Sequence, residues 1–105
     1  RAQGEEAILV VWALAREVRT LTRISAELAK GQPEGLLFKQ NGVWQNRIPA
    51  VRSALQRTSP ADWRNRHSEV ARLDRIVKGA EPGNIWVEIE KFVARLCGVN
   101  NMETV

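Results

Sequence analysis

The 105-residue sequence is poor in the residue types that carry most protein chemistry, with one histidine, one cysteine and no tyrosine. A single cysteine, Cys97, excludes an internal disulfide and is typical of a reducing compartment, so we expect a cytoplasmic protein. His67 and Cys97 stand alone and far apart, which is not the clustering that a metal site or a Cys–His nucleophile pair needs. We expect His67 to be a structural residue on the buried face of its helix and Cys97 a core or boundary residue. These absences predict a domain without metal or enzymatic activity.

Phosphate-binding and membrane-spanning segments are also missing. No G-x-x-x-x-G-K-[ST] sequence is present, so we predict no nucleotide cofactor. No apolar run approaches the roughly 20 residues of a membrane span, and there is no signal peptide. The chain opens at Arg1, without methionine and already inside a helical pattern, which predicts a piece of a longer protein.

The residues that are present have the composition of one globular domain, with 44% apolar and 27% charged residues. Apolar residues recur at steps of three and four, the period of amphipathic helices, and no segment alternates as a half-buried strand does. The pattern predicts a long helix over residues 5–30, a short one near residues 36–38, and helices over residues 47–57, 60–78 and 84–96. We therefore predict an all-α fold, a compact bundle of about five helices over residues 1–99, with a flexible tail at residues 100–105.

Four tryptophans are the bulkiest candidates for packing anchors. Trp63 and Trp86 lie on apolar helix faces and are predicted to be core residues. Trp12 flanks the apolar stripe of the first helix, and Trp44 lies in a loop between helices, so each is either a local packing anchor or an interface residue. For Trp44 we favour the structural role, in which its side chain pins the loop against the bundle.

Sixteen basic and twelve acidic residues give a net charge of +4, and several basic residues are aligned along helices. The aligned residues are Arg16, Arg19 and Arg23 in the first helix and Arg72, Arg75 and Lys78 in the fourth. Such lines can contact phosphates or the carboxylates of a neighbouring subunit. Alternatively, they are solvated faces with intrahelical pairs that involve residues such as Glu17 and Asp74. Aromatic residues do not interleave with them, as stacking on single-stranded nucleic acid would require.

Four strings in the sequence follow one another in a distinctive order. Residues 12–19 read WALAREVR, residues 43–49 read VWQNRIP, residues 73–79 read LDRIVKG and residues 86–90 read WVEIE. They are similar to a W-x-L-x-R-E-x-R-x-L helix, a V-W-x-x-R loop, an L-D-x-x-x-K-G helix end and a W-x-x-[LI]-E helix start. In this order and spacing they resemble the C-terminal collar domain of the delta subunit of the bacterial DNA polymerase III clamp loader.

This resemblance implies an assembly role. In the family, the third domain of delta joins the ATPase subunits and delta-prime in a five-member helical collar. The loader places the sliding clamp on primed DNA with ATP bound by its other subunits, and delta grips the clamp through its first domain. We expect DNA contact through the complex and no membrane contact. The candidate interface residues are Arg16, Arg19, Arg47, Arg75 and Lys78, and among them we favour Arg19 and Arg75, which recur in the matching strings off the apolar stripes.

Two alternatives stay open on the sequence alone. The net charge and the arginine lines also fit a free-standing helical module that binds nucleic acid. A collar domain from a sister subunit of the loader would have the same helical architecture. The first alternative predicts tight, salt-tolerant DNA binding, whereas the collar interpretation predicts weak binding that is lost at physiological salt.

Overall fold

A computed structural model describes residues 3–96 of the chain. Within that range it contains five α-helices, one short 3-10 turn and no strand. The elements are α1 (Gln3–Ala29), α2 (Glu34–Gln40), the 3-10 turn Gln45–Arg47, α3 (Ile48–Arg57), α4 (Pro60–Val77) and α5 (Ile85–Leu96). The predicted all-α bundle of about five helices is confirmed. Cys97 and the predicted tail at residues 100–105 lie outside the described residues.

The core lies between α1 and α4, which form the largest helix–helix interface, with α5 packed on α4. Each helix contributes apolar residues from the side that its three-and-four spacing places inward. The largest fully buried side chains are Val11, Val18, Ile24, Trp63 and Phe92. Burial of each contributes about 1.5–3 kcal/mol, so this small cluster supplies much of the drive to fold.

Local sequence signals set the helix ends. Ser59 accepts a hydrogen bond from the backbone N–H of Asp62 at 3.1 Å, which caps the first turn of α4, and the helix begins at residue 60 as predicted. Asn84 does the same for α5 through the N–H groups of Trp86 and Val87. The third helix begins at Ile48, one residue later than predicted, because Gln45–Arg47 form the 3-10 turn.

The buried face of α4 does not include His67. It is formed by Trp63, Val70, Leu73 and Ile76, with Val77 half-buried against the core. Because each residue advances about 100° around the helix, Leu73 and Ile76 place the centre of that face away from His67. His67 is exposed, and the prediction that it lies on the buried face is wrong.

The four tryptophans divide between core and surface. Trp63 is completely buried and Trp86 packs half-buried against the core, as predicted. Trp12 is 53% exposed and Trp44 is 75% exposed, so the prediction that Trp44 pins its loop against the bundle is wrong. Val43 packs on the core instead, and since successive residues of an extended segment point to opposite sides, Trp44 is turned outward.

Candidate interaction surface

The outward side of α1 carries both apolar and cationic side chains. Leu9, Trp12, Arg16, Arg19 and Arg23 are spaced by three, four, three and four residues, which places them along one side of the helix. All are exposed, with Leu9 at 63% and Trp12 at 53%. This side is opposite the stripe that α1 buries against α4, so it is available to a partner.

The α2–α3 loop is fastened beside this side of α1. Arg23 donates from Nη1 to Oδ1 of Asn41 at 3.1 Å, and Asn41 donates from Nδ2 to the carbonyl of Leu37 at 2.8 Å. The N–H of Val43 donates to the carbonyl of Phe38 at 2.9 Å. The loop is therefore held without help from Trp44, whose indole projects from a positioned backbone.

An ion pair closes the same loop onto α1. Arg47 donates from both terminal guanidinium nitrogens to the carboxylate of Glu17, thirty residues earlier. This hydrogen bonding raises the pKa of Arg47. Between α1 and the loop lies a cleft of about 330 Å³ whose rim includes Arg16, Thr20 and Trp44. The guanidinium of Arg16 and the indole of Trp44 therefore line the same cleft.

An apolar groove of about 380 Å³ lies on the other side of the Glu17–Arg47 pair. Its apolar lining residues are Leu21, Ala50, Val51, Ala54 and Leu96, and Arg57 also lines it. Arg57 donates to Oγ of Ser53 at 2.9 Å and to the carbonyl of Leu96 at 3.3 Å, which links α3 to the end of α5. We call the cleft, the groove and the outward side of α1 together the Trp44 face.

The basic residues aligned along α4 form ion pairs with acidic residues of the same chain. Arg72 donates to Glu81 at 2.7 Å and to Glu88 at 2.9 Å, and Arg75 donates to Glu81 at 3.0 Å. Hydrogen bonds from Arg75 and Arg72 lower the pKa of Glu81, and the bond from Arg72 lowers that of Glu88. Lys78 pairs with Asp74 at 2.9 Å, one turn away. The charge of this line is therefore largely neutralised within the chain, and its ion pairs help to hold α5 against α4.

The predicted interface residues therefore fall into two groups. Arg47, Arg75 and Lys78 are in ion pairs with carboxylates of the same chain. Arg16 and Arg19 have no hydrogen-bond or ion-pair partner within residues 3–96. An intrahelical partner for Glu17 is one alternative that the sequence allows, but in the structure its carboxylate binds Arg47 of the 3-10 turn. The interface role of all five residues stays a prediction.

Sequence reasoning missed the apolar groove. Ala50 and Ala54 are four residues apart along α3, so their small side chains at helical spacing are a sequence signal for one side of that helix. Nothing local could have shown that Leu21 and Leu96 join them, because these belong to α1 and α5.

Residues 3–96 contain no group of three or more histidine, cysteine, aspartate or glutamate residues placed to hold a metal ion. None of the five helices in that range is both long enough and apolar enough to cross a membrane.

Comparison with known proteins agrees with the four sequence strings. Residues 1–102 match the family described as "processivity clamp loader gamma complex DNA pol III C-term". The chain belongs to this family. DNA polymerase III subunit delta of Escherichia coli (strain K12) is 29% identical to it over 97 residues, which is 92% of this chain and 28% of that relative. The family membership confirms the predicted resemblance, and the chain spans less than a third of the relative's length. A search of solved structures gives no significant match.

Proposed function

We propose that this chain is the collar domain of a clamp-loader delta subunit and acts as an assembly domain. The observation that carries the proposal is the family match over residues 1–102, nearly the whole chain. A closed apolar core around α1 and α4 makes the domain a rigid block, and its outer surface is left for neighbouring subunits. Its partners in this proposal are the ATPase subunits and delta-prime, in a cytoplasmic replication complex.

The proposed role is mechanical rather than chemical. The domain holds delta in the ring of subunits, while ATP binding belongs to the other subunits and clamp binding to the first domain of delta.

Removal of the domain from the full-length subunit tests the proposal. Full-length delta, mixed with the ATPase subunits and delta-prime, should give a five-subunit complex by native mass spectrometry, and delta without this domain should not. Binding of the truncated subunit to the sliding clamp is the control that its remaining domains are folded. A five-subunit complex of unchanged yield without this domain would contradict the proposal.

A further inference from the structure

We infer that the open side of the α1–α4 helix pair receives a helix of a neighbouring subunit, one that carries carboxylates beside small or apolar residues. The inference rests on the proposed assembly function and adds to it the surface that is used and the chemistry of the partner.

One side of the α1–α4 pair carries a matched stripe on each helix, with steps of three and four residues. None of the residues in the two stripes is buried. The stripe on α1 is Ala15, Arg19, Thr22 and Ala26, and the stripe on α4 is Arg64, His67, Ala71 and Asp74. We call these eight residues the α1–α4 face.

The contacts of the two helices place this face away from the rest of the bundle. On α4, Glu69 pairs with Arg95 of α5 at 3.5 Å, and His67 lies about 160° around the helix from Glu69. On α1, Glu17 binds the 3-10 turn, and Arg19 lies about 200° around the helix from Glu17. The α1–α4 face is therefore the flank of the pair that α5 and the 3-10 turn do not cover.

A hydrogen bond between the two helices fixes their relative level. Oγ1 of Thr22 donates to the carbonyl of Trp63 at 3.5 Å. Only a short part of α1 follows Thr22, and α1 and α4 share the largest interface, so α4 runs back antiparallel along α1. At about 1.5 Å per residue, Arg64, Arg19 and His67 then lie roughly 1.5, 4.5 and 6 Å along the axis from this level. Two guanidinium groups and an imidazole are thus grouped within one helical turn, across the line where the helices meet.

The two arginines of this group are unpaired. With Arg16, they are the only arginines of residues 3–96 that have no hydrogen-bond or ion-pair partner there. The acidic residue of the face, Asp74, pairs with Lys78 at 2.9 Å and lies about 12 Å farther along the axis than Arg19. Carboxylates of a partner at this place would form charge-assisted hydrogen bonds that no described side chain of this chain supplies.

Small side chains continue the face beyond the cations. Ala15 and Ala71 lie on opposite sides of the line between the helices, at about 10.5 and 12 Å from the level of Thr22. Because both side chains are short, the ridge of a third helix can approach both backbones closely there. Acidic residues one turn away on that helix would meet Arg19 and Arg64. The family description itself refers to a complex of subunits, which is the source of such a helix.

A nucleic-acid strand fits this face less well than a helix does. Phosphate binding strengthens with the number of cations that contact the backbone, and the unpaired arginines here are two. A phosphate chain that continued along the face would meet the carboxylate of Asp74. The face also has no tryptophan or phenylalanine on which bases would stack.

Charge reversal in the full-length subunit tests the inference. Arg19→Glu and Arg64→Glu should each weaken association with the ATPase subunits and delta-prime by at least about tenfold in biolayer interferometry, because the partner's carboxylates would face a like charge. Lys39→Glu is the matched control. Lys39 is exposed on α2 and has no hydrogen-bond or ion-pair partner for its side chain within residues 3–96, so its reversal should stay within about twofold. Circular dichroism of each variant checks that the fold is kept.

Photo-cross-linking identifies the occupant directly. Full-length delta with p-benzoylphenylalanine in place of Ala71, which is exposed, should cross-link in the assembled loader to a helix of an ATPase subunit or delta-prime. The cross-linked peptide should contain aspartate or glutamate. A cross-link to primed DNA, or to a second copy of delta, would overturn the inference because the occupant would then be a nucleic acid or this same chain.

The inference and the proposed function fail in different ways. Undiminished association of both charge-reversal variants, in a loader that still requires this domain for assembly, would overturn the inference and leave the assembly function standing. A five-subunit complex that forms without the domain would instead sink the proposed function itself.

Discussion

At the scale of single residues, the two tryptophans Trp63 and Trp44 show how differently one residue type is used in this domain. Trp63 has no exposed surface and lies where α1 and α4 meet, and its backbone carbonyl accepts a hydrogen bond from Thr22 at 3.5 Å. Trp44 is three-quarters exposed and contributes little to the core. The losses of unfolding free energy when each is replaced by alanine should therefore differ by several kilocalories per mole.

Trp63→Ala should destabilise the chain by about 3–5 kcal/mol, because it removes a fully buried aromatic side chain and leaves a cavity. Trp44→Ala is the matched control and should change the free energy of unfolding by less than about 0.5 kcal/mol. Urea denaturation followed by far-ultraviolet circular dichroism measures both. Equal destabilisation by the two substitutions would mean that Trp44 is buried in solution.

At the scale of elements, helix ends and interhelical ion pairs hold the five helices in register. The Ser59 hydroxyl caps α4, Arg52 donates to Glu34 at 2.7 Å to join α3 to α2, and Glu17 joins α1 to the 3-10 turn. The hydrogen bond from Arg52 also lowers the pKa of Glu34. These links lie at the surface, so each contributes modestly compared with the core.

Ser59→Ala should lower the free energy of unfolding by about 1 kcal/mol, because the N–H of Asp62 loses its acceptor. Ser68→Ala, at an exposed position within α4, is the control and should be neutral or slightly stabilising, since alanine favours helix. Ser59→Asp should restore most of the loss because aspartate is also a good cap. Thermal unfolding of the four proteins gives the comparison, and a neutral Ser59→Ala would refute the capping role.

The α4–α5 ion pairs predict a loss of stability in acid. The arginines hold the pKa of Glu81 and Glu88 below the ordinary value of 4.5 in the folded chain. Their contribution is therefore complete above about pH 4.5 and is lost as the pH falls through the lower folded values. The double variant Glu81→Gln, Glu88→Gln should show a smaller drop in melting temperature between pH 6 and pH 3 than the unmodified chain.

Glu90→Gln is the control for this acid effect, because Glu90 is exposed on α5 and has no ion-pair partner within the described range. The drop in melting temperature between pH 6 and pH 3 should be the same for this variant as for the unmodified chain. High salt should reduce the difference between the double variant and the unmodified chain, since exposed pairs are screened. An identical acid profile for all three proteins at low salt would count against the role of these pairs.

At the scale of the whole molecule, a net charge of +4 is a weaker guide to DNA binding than the sequence suggests. Arg72, Arg75 and Lys78 face carboxylates of their own chain, which reduces the number of cations within residues 3–96 that are free for phosphate contact. Electrostatic binding to DNA depends on the number of phosphates that are neutralised, because each contact releases counterions. The isolated domain should behave as a weak, non-specific ligand.

The isolated chain should therefore bind primed DNA with a dissociation constant no tighter than the roughly 10⁻⁴ to 10⁻⁶ M of non-specific binding at physiological salt. Fluorescence anisotropy of a labelled primer–template across a range of salt concentrations measures this. The Arg16→Glu variant is the control for the contribution of the Trp44 face. Binding that is nanomolar and persists at physiological salt would favour the free-standing nucleic-acid module instead.

The sequence by itself determined the helices, their order and most of their ends. Those features depend on apolar spacing and on capping residues such as Ser59 and Gly79, which act within a turn or two. It also led to the family, because four strings recur in order along the chain. The tail at residues 100–105 and the domain limit at residue 99 stay predictions.

Only the tertiary structure decided which charged surface residues form ion pairs with other residues of the same chain. Glu17 meets Arg47 from thirty residues away, and Arg72 meets Glu88 across the α4–α5 junction. The orientation of α4 that exposes His67, and the outward turn of Trp44, likewise follow from how neighbouring helices pack. Side-chain partners at such separations depend on the relative placement of whole helices, which local periodicity does not specify.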